Sequence, residues 1–361
     1  MRKLARKNIF KTKPYMPGKP IEEVKRELGL KNVIKLASNE NALPPSGKAV
    51  IAAGRAMFTA NRYPDGGCFY LKKGLAKRFR VKPTNIIVGN GSDEIIVLAL
   101  RAFLKSREEV IISKPTFLIY EVASQIAGAK IKFSPLKNFR YDIPKIASLI
   151  TKKTKLIFIA NPDNPTGTYV TGKEVDFLMR RIPKKTIVFF DEAYYEFAKG
   201  VKDYPNTMKY LGNKNVIITR SFSKAYSLAG LRVGYGFADS GTVDALNRVR
   251  EPFNVNSPAQ AGALAALKDK KHVEKTLKLV EDGKAYLYGE LDSAGIKYIP
   301  SVTNFVLVRL GKNAKKIYKK LLKMGVIVRE MSPWKLNSFI RVTIGTKIEN
   351  HKFIRALKSI I

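Results

Sequence analysis

From about residue 86 the chain settles into short, almost wholly apolar runs, each followed by an amphipathic stretch. "NIIV" passes through "GNGSDE" into "EIIVLALRAFL", and "EVII" passes through "SKPTF" into "LIYEVASQIAG". "KLIFIA" then meets "NPDNPTG", "TIVFF" meets "DEAYYEF", and "NVIIT" meets "RSFSKAY". A half-exposed strand alternates apolar and polar positions; these runs do not, which predicts strands buried on both faces of a largely parallel sheet. Strands alternating with helical segments predict an α/β fold with helices flanking that sheet. After "REPFNVNSPAQAGALAALK" the texture changes. A long helical region to about residue 293 precedes strands "TNFVLVRL", "GVIVRE" and "SFIRVTIGT", with helix "AKKIYKKLLKMG" among them. The expected organisation is an N-terminal arm with part of a smaller domain in 1–38, a large domain in 39–255, and a smaller α+β domain in 256–361.

Composition changes this picture little. A chain of 361 residues, 45% of them hydrophobic, can bury a large core and is not a disordered one. No stretch approaches the roughly 20 apolar residues of a membrane span. The basic start "MRKLARKNIFKTKPYMPGKP" has no apolar run behind it, which reads against a secretory signal. The single cysteine, Cys68, excludes an intrachain disulfide and fits a reducing compartment, so a cytoplasmic location is expected. His272 and His351 stand alone in charged helical settings, which argues against a histidine metal site or a Ser-His-Asp triad.

Charge is the unusual feature: 67 Lys and Arg against 29 Asp and Glu give +38. The lysines are spread along the chain ("LKKGLAKRFR", "ITKKTK", "NAKKIYKKLLK") rather than gathered in a tail. With no zinc-finger spacing, RNA-recognition aromatic motif or basic heptad region, no specific nucleic-acid or membrane partner is expected. The excess does favour small anionic ligands.

The chemistry-bearing residues fall just after the strands, where open α/β sheets place their ligands. In "GNGSDE", Gly91, Ser92 and Asp93 open a helix whose free N–H groups suit a phosphate; the same residues read equally as an ordinary N-cap. "NPDNPTG" is a rigid turn that could aim the Asn164 amide into a pocket, or serve only as a turn. The Asn164–Pro165 bond is the nominated cis peptide. Asp191 ends an apolar strand, where a carboxylate is costly unless a cation or strong donor meets it, and Tyr194 follows three residues later. As a helix cap, Asp191 would need no ligand. Lys224 sits between Ser221, Ser223 and Arg232 in a stretch otherwise poor in charge. Burial and nearby cations favour the deprotonated amine that Schiff-base chemistry requires. A phosphate cup, an amide, a carboxylate, a tyrosine hydroxyl and a lysine beside Ser and Arg make up, jointly and in this order, the inventory of a pyridoxal-phosphate enzyme.

With these motifs, and with "PYMPGKPIEEVKRELGL", "KLASNENALPPS", "YPDG", "PFNVN", "TNFVLV" and "RVTIGT", the chain resembles the fold-type-I, class II aminotransferases that use pyridoxal 5'-phosphate. Within them it is similar to the histidinol-phosphate branch, for which "YMPGKPIEE" and the pairing of "GNGSDE" with "PFNVN" are the specific features. The resemblance covers nearly the whole chain. It implies a Schiff base at Lys224, Asp191 on the pyridinium nitrogen, Asn164 and Tyr194 on the phenolic oxygen, and Phe117 stacked on the ring. Gly91, Ser92, Asp93, Ser221, Ser223 and Arg232 would surround the cofactor phosphate. Tyr63 of "RYPDG" would reach the neighbouring subunit's cofactor, in a homodimer with its sites at the subunit interface. Arg341 would grip the substrate carboxylate, Arg329 and Tyr15 the substrate phosphate, with Asn164 also facing substrate.

The implied reaction is transamination between L-histidinol phosphate and 2-oxoglutarate in histidine biosynthesis. Two positions depart from the family pattern, Asp163 and Pro258; neither belongs to the chemistry assigned above. Three other readings stand beside this one. They are an aromatic or broad-specificity aminotransferase, a threonine-phosphate decarboxylase-like lyase, and a basic nucleic-acid-binding protein on the same fold. The last usually carries a helix-turn-helix domain, for which no segment here is spare.

Overall fold

The computed structural model describes residues 4, 8–12, 14, 16–212 and 215–361. Among them, β1 (Ile34–Leu36) is followed by β2 (Ile86–Gly89), β3 (Glu109–Lys114), β4 (Lys130–Lys137), β5 (Arg140–Tyr141) and β6 (Thr154–Ala160). Next come β7 (Ile187–Asp191), β8 (Val216–Ser221) and β9 (Gly234–Phe237). The last four are β10 (Tyr298–Ile299), β11 (Phe305–Arg309), β12 (Val326–Glu330) and β13 (Phe339–Thr343).

The larger sheet has the order β2-β9-β8-β7-β6-β3-β4-β5. Strands β8, β7, β6, β3 and β4 run parallel, while β9 and β5 pair antiparallel with their neighbours. Every residue of β2, β7 and β8 is buried, so both faces are covered, as the unalternating apolar runs predict. In β7 four apolar side chains, each worth about 1.5–3 kcal/mol when buried, outweigh the few kcal/mol that a carboxylate costs there. The strand can therefore carry Asp191 into the interior at its carboxyl end.

The smaller sheet has the order β1-β12-β13-β11-β10 and is antiparallel except where β1 joins β12. Its core holds Leu36, Val306, Val308, Ile340 and Val342. Thus the segment before residue 38 adds a strand to the smaller sheet. The helical region after residue 256 is two helices, Ser257–Lys268 and Lys270–Ser293, separated at Asp269, whose side chain accepts the His272 N–H at 3.3 Å. The first packs on helix Gly47–Met57, and its Ala259, Ala263 and Ala266 lie in the core of the larger sheet. Val273 still belongs to that core, whereas Val280, Leu287 and Leu291 belong to the smaller one. We therefore place the change of domain along this second helix, between Val273 and Val280, rather than at 256.

Candidate active site

The carboxyl ends of β6, β7 and β8 lie side by side, with Ala160 in register with Asp191 and Asp191 with Thr219. A cavity of about 400 Å³ opens over them, walled on the other side by β12 and β13 of the smaller sheet. It is lined by Gly91, Ser92, Asp93, Phe117, Asn164, Asp191, Tyr194, Ser221, Ser223, Lys224, Arg232, Arg329 and Arg341. Of the described residues expected at the site, the cavity thus gathers all but Tyr63.

Lys224 follows β8 in a tight turn, where the Asn41 amide donates to its carbonyl at 3.2 Å and the Ser227 N–H at 3.1 Å. Its Nζ donates to the Ser38 carbonyl at 3.4 Å and lies 5.7 Å from the centre of the Tyr194 ring. Burial, with the Arg341 charge adding to it, lowers its pKa to about 8. An amine so placed gives up its proton far more readily than an exposed lysine, and the neutral amine is the form that attacks a carbonyl.

Asp191 accepts from Tyr120 Oη at 2.6 Å, from the Ala193 N–H at 3.1 Å and from Thr219 Oγ1 at 3.4 Å. Among the described residues it has no ion-pair partner. Burial raises its carboxyl to about 6. A buried carboxylate given hydroxyl and amide donors but no cation is a seat for a cation from outside the protein.

At the other end of the cavity, Gly91 caps helix Ser92–Phe103 with φ +81° and no side-chain cap, so the first N–H groups remain available. The approach is close on both sides. A Cβ on Gly91 would lie 2.8 Å from Arg232, and one on Gly234 of β9 would lie 2.5 Å from the Ser92 nitrogen. Arg232 pairs with Asp93 at 3.4 Å, and Ser221 Oγ accepts the Ser223 N–H at 3.0 Å. Open N–H groups beside two hydroxyls and a guanidinium suit a phosphate.

Tyr194 is buried, accepts from Asn39 Nδ2 at 2.8 Å and sets its ring edge-on to Phe305. Asn164 Oδ1 accepts from Arg341, which also donates to the Ala37 carbonyl at 3.0 Å. Phe117 stands edge-on to Tyr120 at 5.5 Å. Arg329 and Arg341 are register partners on β12 and β13, buried and facing the same side. Arg329 donates to the Met16 carbonyl at 2.5 Å, which brings the N-terminal arm to the cavity, and its Nε has no partner among the described residues.

One described residue that was expected there is not brought to the cavity. Tyr63 is 80% exposed, stacked on Phe253 at 4.4 Å and away from its own chain's cavity. Tyr15 lies outside the described residues. The nominated cis bond is also corrected. It is Asn161–Pro162, directly at the end of β6, with Lys114–Pro115 and Asn254–Val255 elsewhere, and not Asn164–Pro165. Asn161 is anchored there by a reciprocal pair with Val170, so the chain reverses at the first proline of the motif.

Asn39 and Tyr120 in the cavity wall, and Trp334 behind its arginines, carry no assignment from the sequence. Asn39, with φ +55°, binds both Tyr194 and Thr343. Its signal was an asparagine inside "KLASNEN", with aspartate the side chain that most often takes that backbone after glycine. Tyr120 reads as one more core aromatic until the fold sets it against Asp191.

The pattern of the family described as aminotransferase class I and II matches residues 31–357. The chain belongs to the class I and II aminotransferases. This aminotransferase is 47% identical over 358 residues to the histidinol-phosphate aminotransferase of Moorella thermoacetica, covering 99% of this chain and 92% of the relative. It is 43% identical to histidinol-phosphate aminotransferase 2 of Carboxydothermus hydrogenoformans, covering 99% of both. Its fold matches the crystal structure of the Sinorhizobium meliloti histidinol-phosphate aminotransferase in complex with pyridoxal-5'-phosphate, with TM-score 0.90, 26% identity and 99% coverage of each chain. The donor set of the aminotransferase fits that cofactor at both ends: a cation seat at Asp191, an uncapped helix start beside Arg232, and the low-pKa amine of Lys224 in the same cavity. No helix among the described residues is long and apolar enough to cross a membrane.

Proposed function

We propose that the chain is a pyridoxal 5'-phosphate-dependent aminotransferase. Its reaction exchanges an amino group between L-histidinol phosphate and 2-oxoglutarate, giving imidazole acetol phosphate and glutamate, a step of histidine biosynthesis. The observation that carries the substrate is the Arg329–Arg341 pair. Two guanidinium groups, buried in register on one face of the cavity, suit an anion gripped by both. They stand in addition to Arg232 at the helix start, so the cofactor's phosphate does not account for them. A phosphate monoester in one half-reaction and a dicarboxylate in the other suit two guanidinium groups that can serve either anion.

When bound, the cofactor supplies an electron sink for the substrate's Cα. Asp191 would keep a proton on its ring nitrogen, and Tyr120, donating to Asp191 Oδ2, holds that carboxylate in place. Lys224 would anchor the cofactor through its amine and would move the Cα proton as base and then acid. Asn164 and Tyr194 steady the ring's oxygen, Phe117 covers its face, and Ser92, Ser221, Ser223 and Arg232 hold its phosphate. An aromatic aminotransferase would use the same lysine, but a neutral side chain gives Arg329 nothing to bind. Arg329→Gln should therefore raise KM for histidinol phosphate by roughly 10–100-fold, the worth of one charged hydrogen-bonded contact. Steady-state kinetics with phenylalanine in parallel checks this: little change is expected there, and equal losses on both donors would remove Arg329 from the phosphate site.

Enzymes of this family generally work as dimers. Val50, Ile51, Met57 and Phe58, with Tyr63, Phe69 and Tyr70, leave an apolar surface exposed on and beside two helices, as an interface between copies would require. We place Tyr63 at the neighbouring subunit's cofactor phosphate. Mixing Lys224→Ala and Tyr63→Ala proteins, unfolding and refolding them together, should restore about a quarter of wild-type activity, because hybrid dimers regain one intact site. No recovery above the parents would place Tyr63 in its own subunit's chemistry or outside it.

A further inference from the structure

Trp334 is the only tryptophan of the sequence and lies buried in the turn Ser332–Trp334 that follows β12. The Arg329 guanidinium is 5.1 Å from its ring centre and that of Arg341 is 5.7 Å away. Its Nε1–H donates at 2.8 Å to the carbonyl of Thr116, on the larger sheet's side of the cavity. Thr116 immediately precedes Phe117, and its hydroxyl donates at 2.6 Å to the buried Asp163, next to Asn164. One side chain therefore contacts both arginines of the smaller sheet and is tied to the loop that carries Phe117.

The choice of an indole has a physical reason. Two adjacent guanidinium groups need something to offset their repulsion while the site is empty of substrate. A carboxylate would do so, but it would neutralise them and compete with the incoming anion. An aromatic face attracts both cations and brings no negative charge of its own to compete with the ligand. The hydrogen bond to Thr116 adds a fixed spacing between these grips and the loop of the larger sheet.

We propose that Trp334 is a positioning residue for the substrate's anionic groups, holding Arg329 and Arg341 against its ring and at a set distance from the Phe117 loop. The inference rests on the assignment of those arginines to substrate. Cofactor-loaded Trp334→Phe keeps an aromatic face and loses the N–H, whereas Trp334→Leu loses both. KM for histidinol phosphate should rise about three-fold in the first and about ten-fold or more in the second, with kcat changed by less than about two-fold. The pH titration of the cofactor's absorbance should match the parent in both. Parental KM in both variants would reduce Trp334 to packing and overturn the proposal, whatever their melting temperatures.

A second readout does not depend on the reaction. Because Trp334 is the sole indole, tryptophan emission of the loaded enzyme should change saturably with inorganic phosphate, and Arg329→Gln should abolish that change. Emission that ignores phosphate would overturn the proposal. Should the parent fail to turn over histidinol phosphate, the functional reading falls; an Arg329-dependent phosphate response would still uphold the role of Trp334.

Discussion

Lys224→Ala is expected to lower turnover by at least about 10⁴-fold, because it removes in one step the cofactor's anchor and the group that moves the Cα proton. The apoprotein should nevertheless melt no lower than the parent at pH 7. The sign follows from the lowered pKa. Folding takes the amine from its ordinary 10.5 to about 8, so holding the charged form in the cavity opposes folding at every pH below the unfolded value. Alanine removes that opposition, and the alkyl chain it deletes borders an open cavity rather than a closed core. Lys224→Arg separates charge from proton transfer. It keeps a cation that cannot give up its proton, and it should be as inactive as alanine. Turnover near the parental value in either variant, measured with histidinol phosphate and 2-oxoglutarate, would remove this lysine from the chemistry.

What could be read from the sequence divides along physical lines. Strands β3, β6, β7 and β8 were legible because burial on both faces makes them continuous apolar runs. Strand β9 was not, since Gly234 and Gly236 are there for close approach to β2 and the helix start, not for apolar content. Strand β4 was missed because it lies near the sheet's edge, is largely exposed and contains Pro135. Alanine-rich helical patterning does not say which core it faces, which is why 256 looked like a boundary while Ala259 and Ala263 pack on the larger sheet.

Site residues followed the same logic. Lys224, Asp191 and the "GNGSDE" loop announce themselves as polar groups at the ends of apolar strands, where folding alone does not require them. Tyr120, Asn39 and Trp334 act through partners 71, 155 and 218 residues away, a relation no local pattern encodes.

Asp191→Asn should weaken cofactor binding by about 100-fold or more, since removing one partner of a buried charge pair costs roughly 3–5 kcal/mol. Asparagine has nearly the same shape and can still accept from Tyr120, so the apoprotein fold should persist. The pH dependence makes the test specific. In the apoprotein Asp191 titrates near 6 against an unfolded value of 3.8, a raised pKa. The folded state therefore binds more protons between those values, and burying the carboxylate progressively opposes folding as pH rises from about 4 to about 6. A protonated ring nitrogen set against the carboxylate relieves that opposition only once Asp191 is ionised. The rise in melting temperature produced by the cofactor should consequently grow between pH 5 and pH 7 in the parent and lose that component in Asp191→Asn. Taking parent minus variant cancels the titration of the cofactor's own phosphate, which both proteins share. Parallel pH profiles for the two proteins would mean that Asp191 does not face the ring nitrogen, and the orientation assigned to the cofactor in this cavity would have to be reversed.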